Sequence, residues 1–162
     1  EILLRAFVIN DFIDSDWELR TVPVHNEQSL GKKERKYGGR LNTSIIEFLK
    51  EFRNDEEKCN ELKSFINDSI HKVQIVFNDD AFKRIDSNDA STSINKTIAE
   101  LQLVTLSRFS ENTIVEHKEL IRESFKKFLL DNTEIFLRAT NNTENVKRRY
   151  NWGKVLSSKI EG

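Results

Sequence analysis

Two clusters of cations are the residues in this chain whose types and spacing could do chemistry. The first runs Lys32-Lys33-Glu34-Arg35-Lys36-Tyr37-Gly38-Gly39-Arg40. It joins Lys32, Lys33, Arg35, Lys36 and Arg40 to one aromatic ring and a pair of glycines. Such a segment could bind phosphate, with the side chains as counter-charges and the glycine amides as donors. A solvated loop is the plain alternative. The second cluster is Lys147-Arg148-Arg149, with Arg138 upstream and Lys154 downstream. Three consecutive helical positions spread around most of a turn. At most one or two of the three can therefore face one ligand, and another is expected to pair with a carboxylate.

Other chemistries are weakly supported. The three histidines, His25, His71 and His117, lie far apart, and the single cysteine, Cys59, excludes an internal disulfide and a multi-cysteine zinc site. No glycine-rich phosphate loop or HExxH pair is present. An Arg/His pair of the ribonuclease kind would need the two side chains on one helix. Arg108 and His117 are too far apart, with a break at Ser110 between them. Of the 27 acidic residues, Asp79-Asp80 and Glu56-Glu57 are the closest pairs. Neighbours on a helix point apart, and both pairs stand at helix ends, where capping and the helix dipole account for them. No catalytic residue and no metal ligand is expected.

These residues must be positioned by helices. Charged residues make up 33% and hydrophobic residues 37% of the 162, with one proline and five glycines. Long helices with solvated faces fit that balance better than a sandwich or barrel, which needs frequent turn residues. Eleven phenylalanines against two tryptophans and two tyrosines point to a core of rings without polar handles. The periodicity places a helix end over residues 2–13 and a short extended piece over 17–24. A polar loop follows over 25–41. A helix after Asn42 should bury Ile45, Ile46, Leu49 and Phe52. The clearest helix spans 56–77, stopped by Asn78-Asp79-Asp80. Residues 94–109 are apolar on most sides, the mark of a central buried helix. A helix from Ser110 should bury Ile114, Leu120, Ile121, Phe125, Phe128 and Leu129. Asn132 or Thr133 opens a short helix through Arg138. A last helix, capped by Asn142 or Thr143, carries Val146, Tyr150, Val155 and Leu156, with Gly153 weakening its middle. The expected fold is all-α: an irregular array of about six to seven helices around residues 94–109, in one domain over 1–162.

A net charge of −1 indicates no bulk attraction to nucleic acid or membrane, so any such role rests on local patches. Without a signal peptide or long apolar run, the expected compartment is the cytoplasm. The chain has no methionine and opens on Glu1-Ile2-Leu3-Leu4, in mid-pattern. It is therefore expected to be a piece of a longer protein.

Several short elements, in order, resemble one family. They are Leu3-Leu4-Arg5-Ala6-Phe7, Lys36-Tyr37-Gly38-Gly39-Arg40-Leu41, Phe48-Leu49-Lys50-Glu51-Phe52, Asp80-Ala81-Phe82-Lys83, Ile94-Asn95-Lys96-Thr97, and Phe136, Thr140 and Val146-Lys147-Arg148-Arg149. Together they are similar to the helical C-terminal portion of the GmrSD-type restriction endonuclease N-terminal domain family. The family's Asp-Gly-Gln-Gln-Arg signature, in a nucleotide-binding lobe, is absent here, as is the HNH-type nuclease domain that often comes after it. The resemblance implies a bacterial or archaeal anti-phage defence protein whose full-length relatives couple NTP hydrolysis to DNA cleavage. For this piece it implies a non-catalytic subdomain without a cofactor. NTP and a divalent metal would belong to the parent protein. The partners implied are the NTPase lobe, an HNH-type nuclease domain and DNA, with no membrane role. Asn95 and Lys96 are most like a family signature. They could contact the nucleotide lobe or its ligand, or they could cap and tie the buried helix. The alternative function is a helical protein-interaction module without a nucleic-acid role.

Overall fold

The computed structural model describes residues 1–21, 36–84 and 93–161. Lys32, Lys33 and Arg35 lie outside the described residues. Six α-helices succeed one another: α1 (Ile2–Asn10), α2 (Leu41–Phe52), α3 (Glu56–Phe77), α4 (Lys96–Ser107), α5 (Glu111–Asp131) and α6 (Thr143–Glu161). Single 3-10 turns at Asn78–Asp80 and Thr133–Phe136 close the ends of α3 and α5. The described residues hold no sheet, only isolated bridges such as Ile13 with Leu19 and Thr21 with Tyr37. The fold is all-α, as composition and periodicity predict.

Local chemistry explains the boundaries. Asp55 accepts a hydrogen bond from the Lys58 amide at 2.9 Å and opens α3. Asn78 ends it with a positive φ of 49°. Asn95 Oδ1 accepts from the amides of Thr97 and Ile98, each at 3.0 Å, and opens α4. Ser110 and Asn142 do the same for the amides of Thr113 and Asn145. The helix predicted to start after Asn42 begins earlier: Arg40 holds the N-cap position, and Asn42 lies inside α2. The predicted helix after Thr133 is shorter too, closing as a 3-10 turn at Phe136.

α4 sits in the centre and touches α1, α3 and α6, while α3 also meets α5. Every residue from Thr97 to Leu106 is buried. Phenylalanine rings then fill two regions. Phe7 meets Phe48 and Phe65 edge-on at 5.6 and 5.4 Å between α1, α2 and α3. Phe125 meets Phe77 at 5.0 Å and Trp152 at 5.1 Å between α5, α3 and α6. The contact with Phe7 rotates α2 away from the predicted face. Leu41 and Phe48 are buried, and Ile45 and Phe52 pack partly, whereas Ile46 and Leu49 are 53% and 43% exposed. Leu120 and Val155, expected inside, are exposed as well.

Candidate nucleic-acid interface

The buried helix α4 carries one carboxylate, Glu100, and the fold closes two guanidinium groups on it. Arg5 of α1 donates to Glu100 Oε2 at 3.2 Å, and Arg149 of α6 donates to Oε1 at 3.2 Å. Glu100 and Arg149 are wholly buried, and Arg5 nearly so. Two cations against one carboxylate leave a positive excess, which neutral oxygens offset. Arg5 also donates to Asn141 Oδ1 at 3.0 Å, and Arg149 to the Thr140 carbonyl at 2.5 Å. The Tyr37 hydroxyl donates to the Asn141 carbonyl, and the Tyr150 hydroxyl reaches Glu100 at 3.4 Å. The Thr140–Asn141 segment thereby becomes the acceptor wall of the cluster.

Burial comes first in raising both tyrosines, and the Glu100 charge adds to it. Tyr37 is pushed up to about 12, and Tyr150 well above the ordinary value of 10. Both groups hold their protons in the fold more tightly than in the unfolded chain. The contribution of Tyr37 to stability is thus complete below about pH 10 and is lost as pH climbs through about 12, and that of Tyr150 is likewise lost only well above the ordinary value. These are the chain's only two tyrosines. Tyrosinate absorbance in an alkaline titration is expected to rise together with the loss of helical circular dichroism. A tyrosinate midpoint near 10 with the helices intact would show that neither hydroxyl is held this way.

This network corrects one expectation. Arg149 cannot meet phosphate, because it is enclosed as the partner of Glu100. Its neighbour Arg148 is exposed and pairs with Glu134 at 2.6 Å. The backbone hydrogen bond at Glu134 and then this ion pair hold its carboxyl below the ordinary value. Lys147 is exposed and forms no ion pair among the described residues. Asn95 caps α4, and Lys96 pairs on the surface with Glu1 at 3.0 Å. Lys36 and Arg40 are exposed on either side of buried Tyr37. Their segment runs against the start of α6, where Tyr37 bonds to Asn141 and the Gly39 backbone approaches Thr143. The structure thus brings the described part of the first cluster to the same end of α6 as the second.

Lys147 and Arg148 also line a cleft of about 490 Å³ between α5 and α6, a size typical of small-ligand sites. Its other cations are Lys127 of α5 and Lys154 and Lys159 of α6, and its carboxylates are Glu18 and Asp131. Lys154 is tied to Glu18 at 2.8 Å, and that bond raises its pKa. Trp17, Phe128 and Trp152 contribute aromatic surface. Phe128 and Trp152 stack at 6.0 Å, and the Trp152 indole donates to Ser124 at 3.1 Å.

Trp17 is placed by a turn written into Asp14-Ser15-Asp16. The Asp14 carboxylate accepts from the amides of Asp16 and Glu18 at 3.0 and 2.8 Å. Trp17 takes a positive φ of 64° at the turn's tip. The Arg108 guanidinium lies 4.8 Å from its ring and also donates to the carbonyls of Ile13 and Asp14. On α6 the indole presses on Gly153, where an added Cβ would meet it at 2.3 Å. Gly153, expected only to weaken the helix, is the gap that admits Trp17.

Sequence reading missed Arg5 and Glu100 as partners, although a signal exists. Each is a lone charge inside an apolar helical run, and opposite charges in such runs must meet. It also missed the cleft, because Trp17, Lys127, Phe128 and Lys159 are spread across the chain. Among the described residues no three His, Cys, Asp or Glu side chains gather as a metal cage. No helix among them is long and apolar enough to cross a membrane. No protein-family model, curated protein or solved structure matches the chain.

Proposed function

We propose that this chain is a non-catalytic helical subdomain of a GmrSD-like, NTP-dependent DNA restriction or anti-phage defence protein. Its own task is to support a nucleotide-binding lobe and to offer DNA a cationic face. The observation that carries the DNA role is the sorting of charge. Arg5 and Arg149 are enclosed around Glu100, whereas Lys127, Lys147 and Lys159 stand exposed around one cleft on α5 and α6. In this reading phosphates displace counterions from that face, so affinity depends steeply on salt. Duplex binding measured against salt is expected to show a linear log–log fall. The Lys127→Gln/Lys147→Gln/Lys159→Gln variant should flatten it by about 0.9 for each phosphate no longer neutralised. Equal slopes for parent and variant would overturn the assignment to this face. Replacing Lys32, Lys33, Arg35 and Lys36 with Ala tests the other cluster in the same assay.

A protein-interaction module is the second reading. Ile46 and Leu49 favour it, exposed three residues apart on one side of α2. Absence of duplex binding even at low salt would leave that reading standing.

A further inference from the structure

We propose that the α5–α6 cleft receives an unpaired nucleotide, with its base against Trp17 and Phe128 and its phosphate among Lys127, Lys147 and Lys159. The proposal deepens the DNA-contact reading and rests on it. A duplex backbone needs only cations, and a flat basic surface would serve it. This site is instead concave, has about 490 Å³ of space, and carries two part-buried aromatic side chains under a basic rim. Every nucleobase has a π-face to lay on such rings, and each carries its own phosphate within reach of the rim. The charges match: five cations line the cleft against the carboxylates of Glu18 and Asp131. Lys154 is engaged by Glu18 and Arg148 by Glu134, so the three remaining lysines are the ones left for phosphate.

The aromatic part is prepared in advance. The Asp14 turn, the Arg108 guanidinium and the Gly153 gap together hold the Trp17 indole in place. Phe128 is braced by Trp152 and by Phe136, whose ring lies 5.8 Å away at 84°. A base therefore meets rings already fixed, which lowers the ordering cost of binding. The rings also fit single strands better than duplex, since the faces of bases inside a duplex are covered by their stacked neighbours.

The chain's two tryptophans both line this cleft, so its intrinsic fluorescence reports on the site. The test titrates the protein with a short oligothymidylate, an abasic oligomer of equal length, a duplex and thymidine monophosphate. Anisotropy of labelled oligomers is followed beside tryptophan emission. Oligothymidylate is expected to quench the emission and to bind roughly ten-fold more tightly than the abasic strand. Phe128→Leu should remove most of that preference while circular dichroism stays unchanged. Trp17→Ala should do the same where it folds, and Phe128→Leu decides where it does not. Quenching by the monophosphate alone at comparable affinity assigns the site to a free nucleotide. Tighter, salt-dependent binding of the oligomer assigns it to a strand. Equal binding of base-bearing and abasic strands without quenching overturns the base site yet leaves backbone binding intact. Failure of every nucleic acid to bind removes both readings.

Discussion

Replacing Glu100 with alanine is expected to destabilise the fold by about 3–5 kcal/mol, because it strands two guanidinium groups in the interior. Arg5 and Arg149 have no other carboxylate within reach among the described residues, and the Nε atoms of both already lack a partner. The carbonyl of Thr140 and the amide oxygen of Asn141 can solvate those cations only in part. A decrease of that size is a large share of the roughly 5–15 kcal/mol that holds a typical domain together. Urea unfolding of parent and variant measures it directly. Removing the whole cluster should behave differently. Arg5→Met/Glu100→Leu/Arg149→Met leaves no charge to desolvate and should recover most of the stability. A single Glu100→Ala variant within about 1 kcal/mol of the parent would show that water reaches the cluster.

Phe125→Ala is expected to cost about 3–5 kcal/mol through the cavity it leaves. The ring is fully buried and bridges Phe77 on α3 to Trp152 on α6. Neither helix can collapse onto the gap without dragging α5, so little of the void can be refilled. Trp152 would be deprived of a ring neighbour beneath the cleft, so its emission should shift along with the unfolding midpoint. Leu130, 58% exposed on the same helix, is the control and should stay within about 0.5 kcal/mol when truncated. A Phe125→Ala effect no larger than that of Leu130→Ala would show that α5 does not tie α3 to α6.

Different physical signals made different parts of this molecule readable. Asp55, Asn95 and Ser110 announce helix starts because a short polar side chain beside its own backbone is a local device. The burial of α4 is equally local, since apolar residues on all its sides leave no solvated face. Facing is harder. Ile46 and Phe48 are both apolar, and it is contact across the fold, with Phe7 on α1 among the partners, that places Phe48 inside. Arg149 shows the same limit more sharply. Beside Lys147 and Arg148 it reads as part of a surface cluster, yet the carboxylate that claims it lies 49 positions earlier. The expectation that one member of the cluster pairs with a carboxylate follows from helical geometry, and which one does not. The cleft was the least readable feature, because it is assembled from a turn after α1 and two helices near the far end.

The ion cluster also sets an order of events. Glu100 comes 95 positions after Arg5 and 49 before Arg149, so the chain emerging from a ribosome presents its parts in that sequence. Until α6 arrives, the central carboxylate has one guanidinium, Tyr150 is missing, and the Thr140 carbonyl lacks the Arg149 donor. The other helices can gather around α4, but they gather while Glu100 still lacks its Arg149 and Tyr150 partners and long loops are still to close. Docking of α6 is thus what completes the cluster, since it brings Arg149 and Tyr150 to Glu100. A break that begins by lifting α6 would expose the cluster and the cleft together, so disappearance of the ligand surface and onset of unfolding would coincide.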